Sequence, residues 1–534
     1  MRMFITLWLL SLFATANAQT AYQKILDSED GRGNGVTMHP NGDITVVSNY
    51  RNDNGLPAMQ VVRFDQDGNR QWSTVVRWNY GTGLPAAGDV VASTFGSVVI
   101  PGVRLSNPNT PQDSAFVVKV DDSGSISWAK RFFVNDPNVS HTSWYTAAVA
   151  PLGDIYLTGV VSKYSLGRDL IVAKLDPSGL VLWCKRIFTS VPTNFVQPDH
   201  IVRTPSGSIR ISGWVSGTYQ GVFTMELDPQ GNILYQDLYH PNTSGLSVRW
   251  CSTINAAGDT KWFLSRYLDS FTEQLFMFNT DVQGNVINAL SYDISGLYGS
   301  ISCVARQGQD FVAVGSRTDV APPPPNTYAV AVRIPETGHP SGMGYGSTGR
   351  EFLVRAVANS LNGVAVVGAA VKPTPSSGSY LSLLIHTDSL LRSTDCDVPL
   401  TVSSNAATVT RDTITFYSSN ITGWVNATFV QDTGYAEIIV CDPDASLAEM
   451  ELASFDLFPN PTSGRITMRF TDPAHRPLAL RLYNDLGQQV LAIADRGRLS
   501  GNEVVLEVAD LGAGIYSLHA VFEDGVRTQR LVVE

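Results

Sequence analysis

The sequence predicts an all-β chain built on a sevenfold repeat, and three observations carry that expectation. Charged residues make up only 16% of the 534 residues, while 45 Gly, 28 Pro, 19 Tyr and 22 Phe favour short strands and many turns over long helices. A short Asp-x-x-Gly pattern recurs at near-constant spacing, and a second glycine turn precedes each copy. The length exceeds one ordinary core and implies two or more domains.

The first pattern is an apolar strand, then Asp, two residues, Gly and often Trp four later. It stands as VVRFDQDGNRQW (Asp65, Gly68, Trp72), VVKVDDSGSISW (Asp121, Gly124, Trp128) and IVAKLDPSGLVLW (Asp176, Gly179, Trp183). MELDPQGNILY (Asp228, Gly231) and NTDVQGNVIN (Asp281, Gly284) follow, with weaker copies around Pro335 and Gly338 and at Asp388. Clear anchors lie roughly 52 to 56 residues apart. The preceding turns, such as PNGDITVVS and PLGDIYLTGV, also number seven, at Gly42, Gly96, Gly153, Gly207, Gly258, Gly308 and Gly363.

In the third copy YTAAVA, DIYLTGVVS, DLIVAKLD and VLWCKRI read as four strands, rich in β-branched and aromatic residues. The Asp can accept a backbone hydrogen bond at the start of a tight turn, and the Gly takes the positive φ that closes it. Seven such units describe a seven-bladed β-propeller with four-stranded blades over residues 19–394, with a solenoid as the competitor. The seventh copy lacks a fourth strand, and Ala21 to Leu26 (AYQKIL) resembles the missing one. That displaced strand favours a closed ring, which also removes exposed sheet edges. The Asp-x-x-Gly-x-x-x-Trp element resembles the tryptophan-docking motif of quinoprotein-like propellers, although that family spaces Asp and Gly one residue further apart. The resemblance implies a fold and no quinone cofactor, and the repeated Trp72, Trp128 and Trp183 are expected to pack blade on blade.

The first 18 residues have the parts of a secretory signal: Arg2, an apolar stretch from Phe4 to Phe13, and Ala16-Asn17-Ala18 as cleavage site. The apolar stretch is shorter than the roughly 20 residues a spanning helix needs, and no later stretch qualifies. Behind the repeats, residues 395–441 lose the period and are expected to form a small β-rich annex. An acidic linker, 442–454, follows.

The last domain, 455–534, opens with Phe458-Pro459-Asn460-Pro461-Thr462. LRLYNDLGQQVL then carries Asp485 and Gly487, and LEVADLGAGIYSLHAVFEDG carries Leu511, Gly514 and Tyr516. These elements, in order and spacing, resemble the C-terminal sorting domain of type IX secretion cargo found in Bacteroidota. The resemblance implies recognition by the type IX secretion machinery, passage through the periplasm, and release or attachment at the cell surface. Strands alternating with glycine turns over this length suit a small antiparallel sandwich.

The formal charge of −11 repels phosphate backbones and makes nucleic acid an improbable partner. Of Cys184, Cys251, Cys303, Cys396 and Cys441, the pair Cys396 and Cys441 brackets the non-repeating segment and is the candidate disulfide. The other three sit inside repeats as small hydrophobes. No metal spacing, zinc-protease helix or nucleophile elbow occurs. A G-x-G-x-x-G match at Gly344, Gly346 and Gly349 lies outside a strand–helix setting. DQDGN at Asp65, Asp67 and Asn69 reads as a hairpin turn rather than a calcium loop. The expectation is therefore no catalytic, cofactor or metal residue, and a non-enzymatic module for an extracellular glycan or protein. An extracellular polysaccharide- or peptide-degrading hydrolase or lyase is the rival reading, and a structural surface component the third.

Overall fold

The computed structural model describes residues 21–440 and 455–534. Short segments within them fall outside the description: 27–30, 52–56, 79–83, 106–112, 165–166, 242–245, 255–258, 268–272, 295–300, 308–309, 319–326, 336–338, 346–350, 359–362, 372–379, 395–396, 428, 434–436, 471–476, 478, 485–488, 494–502 and 523–524. The signal segment, Cys396, Cys441, the acidic linker, Asp485 and Gly487 thus lie outside the described residues. The chain is all-β, and the described residues contain strands and one 3-10 turn, Thr94–Gly96. It divides into two compact units, 1–443 and 444–534. Among the described residues no helix is long and apolar enough to cross a membrane.

The first unit consists of four-stranded antiparallel meanders over 32–78, 84–132, 139–189, 195–241, 246–294 and 301–345. A seventh is formed by Glu351–Ala358, Val364–Val371, Tyr380–Thr387 and the displaced Tyr22–Leu26. The displaced strand pairs antiparallel with Tyr380–Thr387, Tyr22 opposite His386 and Leu26 opposite Ser382. Its five residues are all buried. Each meander packs its first strand against its neighbour, and the first strand of the seventh packs on Arg32–Met38 of the first.

The Asp-x-x-Gly turns form as the chemistry requires. Asp176 Oδ1 accepts the backbone N–H groups of Ser178 and Leu180, both at 2.9 Å, and Gly179 N–H donates to Asp176 O at 3.0 Å. Gly179 holds φ +82°, and a Cβ there would come within 2.8 Å of the Trp128 ring. Glycine is therefore fixed twice, by backbone conformation and by the indole lying on it. The indoles also donate to the next turn: Trp72 Nε1 to Asp122 O at 2.9 Å, Trp128 Nε1 to Pro177 O at 3.2 Å and Trp183 Nε1 to Pro229 O at 2.9 Å. At the corresponding place in the fourth meander stands Tyr235, whose phenol leaves no room for a Cβ on Gly284. Further along the same strand Tyr239 Oη donates to Gly284 O at 2.9 Å, and in the sixth meander Tyr345 Oη donates to Leu391 O at 2.7 Å. Tyr22 of the seventh meander covers Gly68 of the first, leaving no room for a Cβ there. In DQDGN, Asp65 is occupied by the same turn, accepting from Asp67 and Asn69.

Residues 398–440 depart from expectation. Their described strands form no sheet of their own. Val398–Leu400 pairs with the last strand of the sixth meander, Val402–Ala406 with the fifth, Val409–Asp412 with the fourth, and Phe416–Asn420 with the third. Trp424–Asn426 then pairs with the second, Phe429–Thr433 with the first, and Glu437–Val440 with Tyr22–Leu26. Every meander thus gains a fifth strand, and the segment forms a belt that visits the meanders in reverse order. The physical reason is edge satisfaction: a last strand left bare exposes a row of unpaired N–H and C=O groups. The belt is anchored at Trp424, whose ring stacks on Trp144 (5.6 Å, 16°) and tilts against Phe132 (5.2 Å).

The second unit has two antiparallel sheets, one of Phe455–Phe458, Arg465–Phe470 and Glu503–Glu507. The other contains Gln489–Ile493, Ala479–Tyr483, Gly514–Phe522 and Gly525–Val533. They share one core, built on Phe455, Ile466, Met468, Leu482, Leu506, Leu518 and Leu531.

Candidate functional site

Three places concentrate polar chemistry. The first is a cleft of about 630 Å³ on the third meander and its belt strand, lined by Lys163, Asp169, Arg186, Phe188, Thr189, Ser190, Pro192, Tyr417 and Ser419. Strand alternation puts Arg186 and Phe188 on one face of Val181–Thr189, and the belt register sets Ser419 opposite Arg186 and Tyr417 opposite Phe188. The two rings lie 6.1 Å apart at 29°. Asp169, nearly buried, receives Lys163 Nζ at 2.9 Å and Arg186 Nε at 2.6 Å. Two cations thus share one carboxylate.

The second place is where the first strands of several meanders meet. The second meander's first strand is broken into Leu84–Ala87 and Val91–Ala92, and Asp89 stands in the gap. Thr146 Oγ1 donates to Asp89 Oδ2 at 2.8 Å, Val90 N–H donates to Oδ1 at 2.8 Å, and Arg355 Nε lies 3.9 Å away. Burial raises the Asp89 carboxyl above its ordinary range, with Arg355 opposing. His200, from the fourth meander, is lowered to about 4 by burial and then by Arg355. Both groups are thereby pushed toward their neutral forms. The arrangement is a polar tie between meanders, with a neutral imidazole beside it. Among the described residues no group of three His, Cys, Asp or Glu could hold a metal ion. Gly344 lies inside the strand Ser341–Tyr345, whereas Gly346 and Gly349 are outside the described residues.

A related histidine gives the first unit a pH dependence. His39 is buried against Thr45 Oγ1 at 2.8 Å, and burial, with Arg63 next, lowers it to about 4. Its folded-state value lies below the ordinary 6.5, so its contribution is complete above that pH and is lost as pH falls from 6.5 toward 4. The turn carboxylates Asp176 and Asp281, held low by the Ser178 hydroxyl and the Asn285 amide, lose their contribution in the same direction at still lower pH. Asp89, raised, acts with the opposite sign. Urea titration at pH 7 and pH 5 is expected to show a loss to which His39 contributes about 2 kcal/mol and His200, shifted in the same direction, adds its own share. His39→Gln should shrink that difference. An equal loss in the variant would refute the assignment.

The third place is the opening of the second unit. Phe458 closes the strand Phe455–Phe458, and Arg469 lies over its ring at 4.7 Å. Pro459 and Pro461 flank Asn460, whose Nδ2 donates to Arg530 O at 2.7 Å and whose Oδ1 accepts Val532 N–H at 2.9 Å. The side chain of Asn460 thus straps the opening onto the last strand. Thr462 continues the strap, its N–H donating to Val532 O at 3.0 Å and its O accepting Glu534 N–H at 2.8 Å. Gly514 opens the strand Gly514–Phe522, and Tyr516 Oη closes the preceding turn on Gly512 O at 2.7 Å. The structure brings Asn460 and Thr462 onto the final strand, while Phe458 faces Thr467 and Arg469 of the neighbouring strand. Tyr417, Ser419, Asp89 and His200 escape sequence reasoning, since nothing local marks them.

No curated protein matches the chain. Among solved structures, a protein of unknown function from Dyadobacter fermentans is similar at 12% identity and a TM-score of 0.39, over 59% of this chain and 97% of that one. The β-propeller domain of the Trilobed protease from Pyrococcus furiosus is similar at 9% identity and a TM-score of 0.36, over 71% and 98%. An ulvan lyase of a polysaccharide lyase family, bound to its saccharide, follows at 10% identity and 0.33, over 68% and 95%. Residues 456–534 match the family described as the secretion system C-terminal sorting domain. The strapped opening, the shared core and this match agree, and the chain therefore carries a type IX secretion sorting domain at its C-terminal end.

Proposed function

We propose that the chain is an exported or cell-surface seven-bladed β-propeller of Bacteroidota, acting as a non-enzymatic binding module. Support for the ring comes from the seven meanders, their sequential packing, and the contact of the seventh with the first. The reading assigns residues 1–18 to the signal, 19–394 with the belt to the propeller, 442–454 to a linker, and 455–534 to a sorting sandwich. The observation that carries delivery is the sorting domain at 456–534. Deleting residues 455–534 is expected to abolish appearance outside the cell while the retained unit keeps its melting temperature. Normal export of the truncated protein, followed by immunoblotting of medium and surface fractions, would remove this reading.

We also propose that Cys396 and Cys441 form a disulfide. Both lie outside the described residues, and the support comes from their neighbours. Gln23 pairs through its backbone with Val440, and its side chain donates to Ser393 Oγ at 2.9 Å and Asp397 Oδ1 at 3.1 Å. The residues flanking both cysteines thus converge on Gln23. In the ring reading such a bond fastens the two ends of the belt and makes it a covalent hoop. Closing a loop of this length stabilises by about 4 kcal/mol in the chain-entropy account. Non-reducing peptide mapping is expected to recover one linked peptide containing both cysteines; two free thiols would exclude the bond.

One observation favours the enzymatic alternative. Asp89 and His200 both lie under the influence of Arg355, and His200 Nδ1 is buried without a hydrogen-bond partner among the described residues. Turnover of a polysaccharide or peptide, abolished by His200→Asn or Asp89→Asn in a folded variant, would establish that alternative in place of the binding module.

A further inference from the structure

We infer that the cleft on the third meander binds an acidic saccharide, its sugar ring on Phe188 and Tyr417 and its anionic group on Lys163 and Arg186. The inference rests on the binding-module reading and adds to it a site and a ligand class.

Size and wall chemistry come first. A cleft of about 630 Å³ falls within the range of small-ligand sites and is large enough for a few sugar units. One wall is aromatic. Phe188 and Tyr417 are cross-strand partners whose rings are stacked, and Tyr417 is 49% exposed. An exposed Tyr417 backed by the half-buried Phe188, the two held by paired strands, is a rigid apolar surface suited to the C–H face of a pyranose, with the phenol hydroxyl at its polar edge.

The floor supplies the charge. Lys163 and Arg186 both converge on Asp169, which leaves a surplus of one positive charge, and their side chains keep 15% and 22% of their surface exposed. A guanidinium has five donors, and Asp169 takes Nε and Nη2 of Arg186. The carboxylate fixes the two cations in place, so an incoming anion meets preordered donors. This positive spot stands on a chain of net charge −11. A dispersed acidic surface repels anions generally, so a local cationic cleft selects for a ligand that combines an anionic group with a neutral body. Ser190 and Ser419 add hydroxyls to the lining.

The anionic group has two chemical sources, a uronate carboxylate or a sulfate ester, and both satisfy the same donors. Calorimetric titration of the full mature chain uses an oligogalacturonate, a sulfated galactan oligosaccharide, a neutral cello-oligosaccharide and an oligoglutamate peptide. At least one acidic saccharide is expected to bind, more weakly at high salt. Tyr417→Ala and Lys163→Met, each verified to remain folded at the titration temperature, should each weaken it about tenfold. The saccharide that binds identifies the anion. The assignment is overturned if the neutral sugar binds equally well, if only the peptide binds, if none of the probes binds, or if both variants retain full affinity. Binding that survives both variants would leave the binding-module reading standing and remove only this site. Consumption of a saccharide during titration would instead remove the non-enzymatic reading.

Discussion

A chain starting after Leu26 is expected to lose the cooperative fold of its first unit. Tyr22, Ile25 and Leu26 are at most 8% exposed, and together their burial contributes about 6 kcal/mol. Domains of this kind are stable by only about 5–15 kcal/mol in total. The loss also extends beyond the strand itself. Tyr380–Thr387 and Glu437–Val440 both pair with Tyr22–Leu26, so each would face an empty edge. Gly68, in the first meander, would lose the ring that covers it. Trimmed and full mature proteins compared by urea unfolding should therefore differ by most of the transition. Coincident transitions would mean that the strand is dispensable, and the closure reading would fall with it.

Trp424→Ala is expected to cost about 3 kcal/mol, a value set by the loss of a large ring packed on two others. The site is informative because the belt strand Trp424–Asn426 has only three residues, too few to hold through backbone pairing alone. Gly423 contributes as well, since a Cβ there would fall 1.9 Å from Phe133 O and the chain could not reach its place. Val425, 42% exposed on the opposite side, is a control at which alanine should be nearly neutral. Hydrogen exchange in Ile126–Phe132 should accelerate in the tryptophan variant and not in the valine one. Equal protection in both would show that the belt does not stabilise the strand it covers.

The repeat is legible because each copy carries its own local physics. An Asp accepts two N–H groups, a Gly reverses the chain, and an aromatic side chain reaches the next turn. All three leave residues at fixed spacing. The strand Tyr22–Leu26 could be read because the seventh copy is visibly short by one strand. The belt leaves no such trace. Its strands are three to five residues long, those between Val398 and Asn426 largely exposed, and paired in reverse order with segments up to several hundred residues away. Ser403, Asn405, Thr410 and Ser418 look like ordinary loop polarity, and only the partner strand explains them. The cleft inherits this blindness, for Tyr417 and Ser419 belong to the belt while Asp169 and Arg186 belong to a repeat. Asp89 is hidden for another reason: it occupies a break in a strand, where the alternation that marks inward residues is interrupted.

The belt also changes what each sheet offers to its surroundings. Without it, the outermost strands would be segments such as Val181–Thr189, Ile233–Pro241 and Val286–Ile294, each nine residues long and alternating with apolar side chains. Strands of that length and character recruit other chains and seed fibrils. With it, the outer rim is short and rich in serine, threonine and asparagine, from SSNA through TRD to YSSN. Such short polar edges let copies of the chain touch without knitting together.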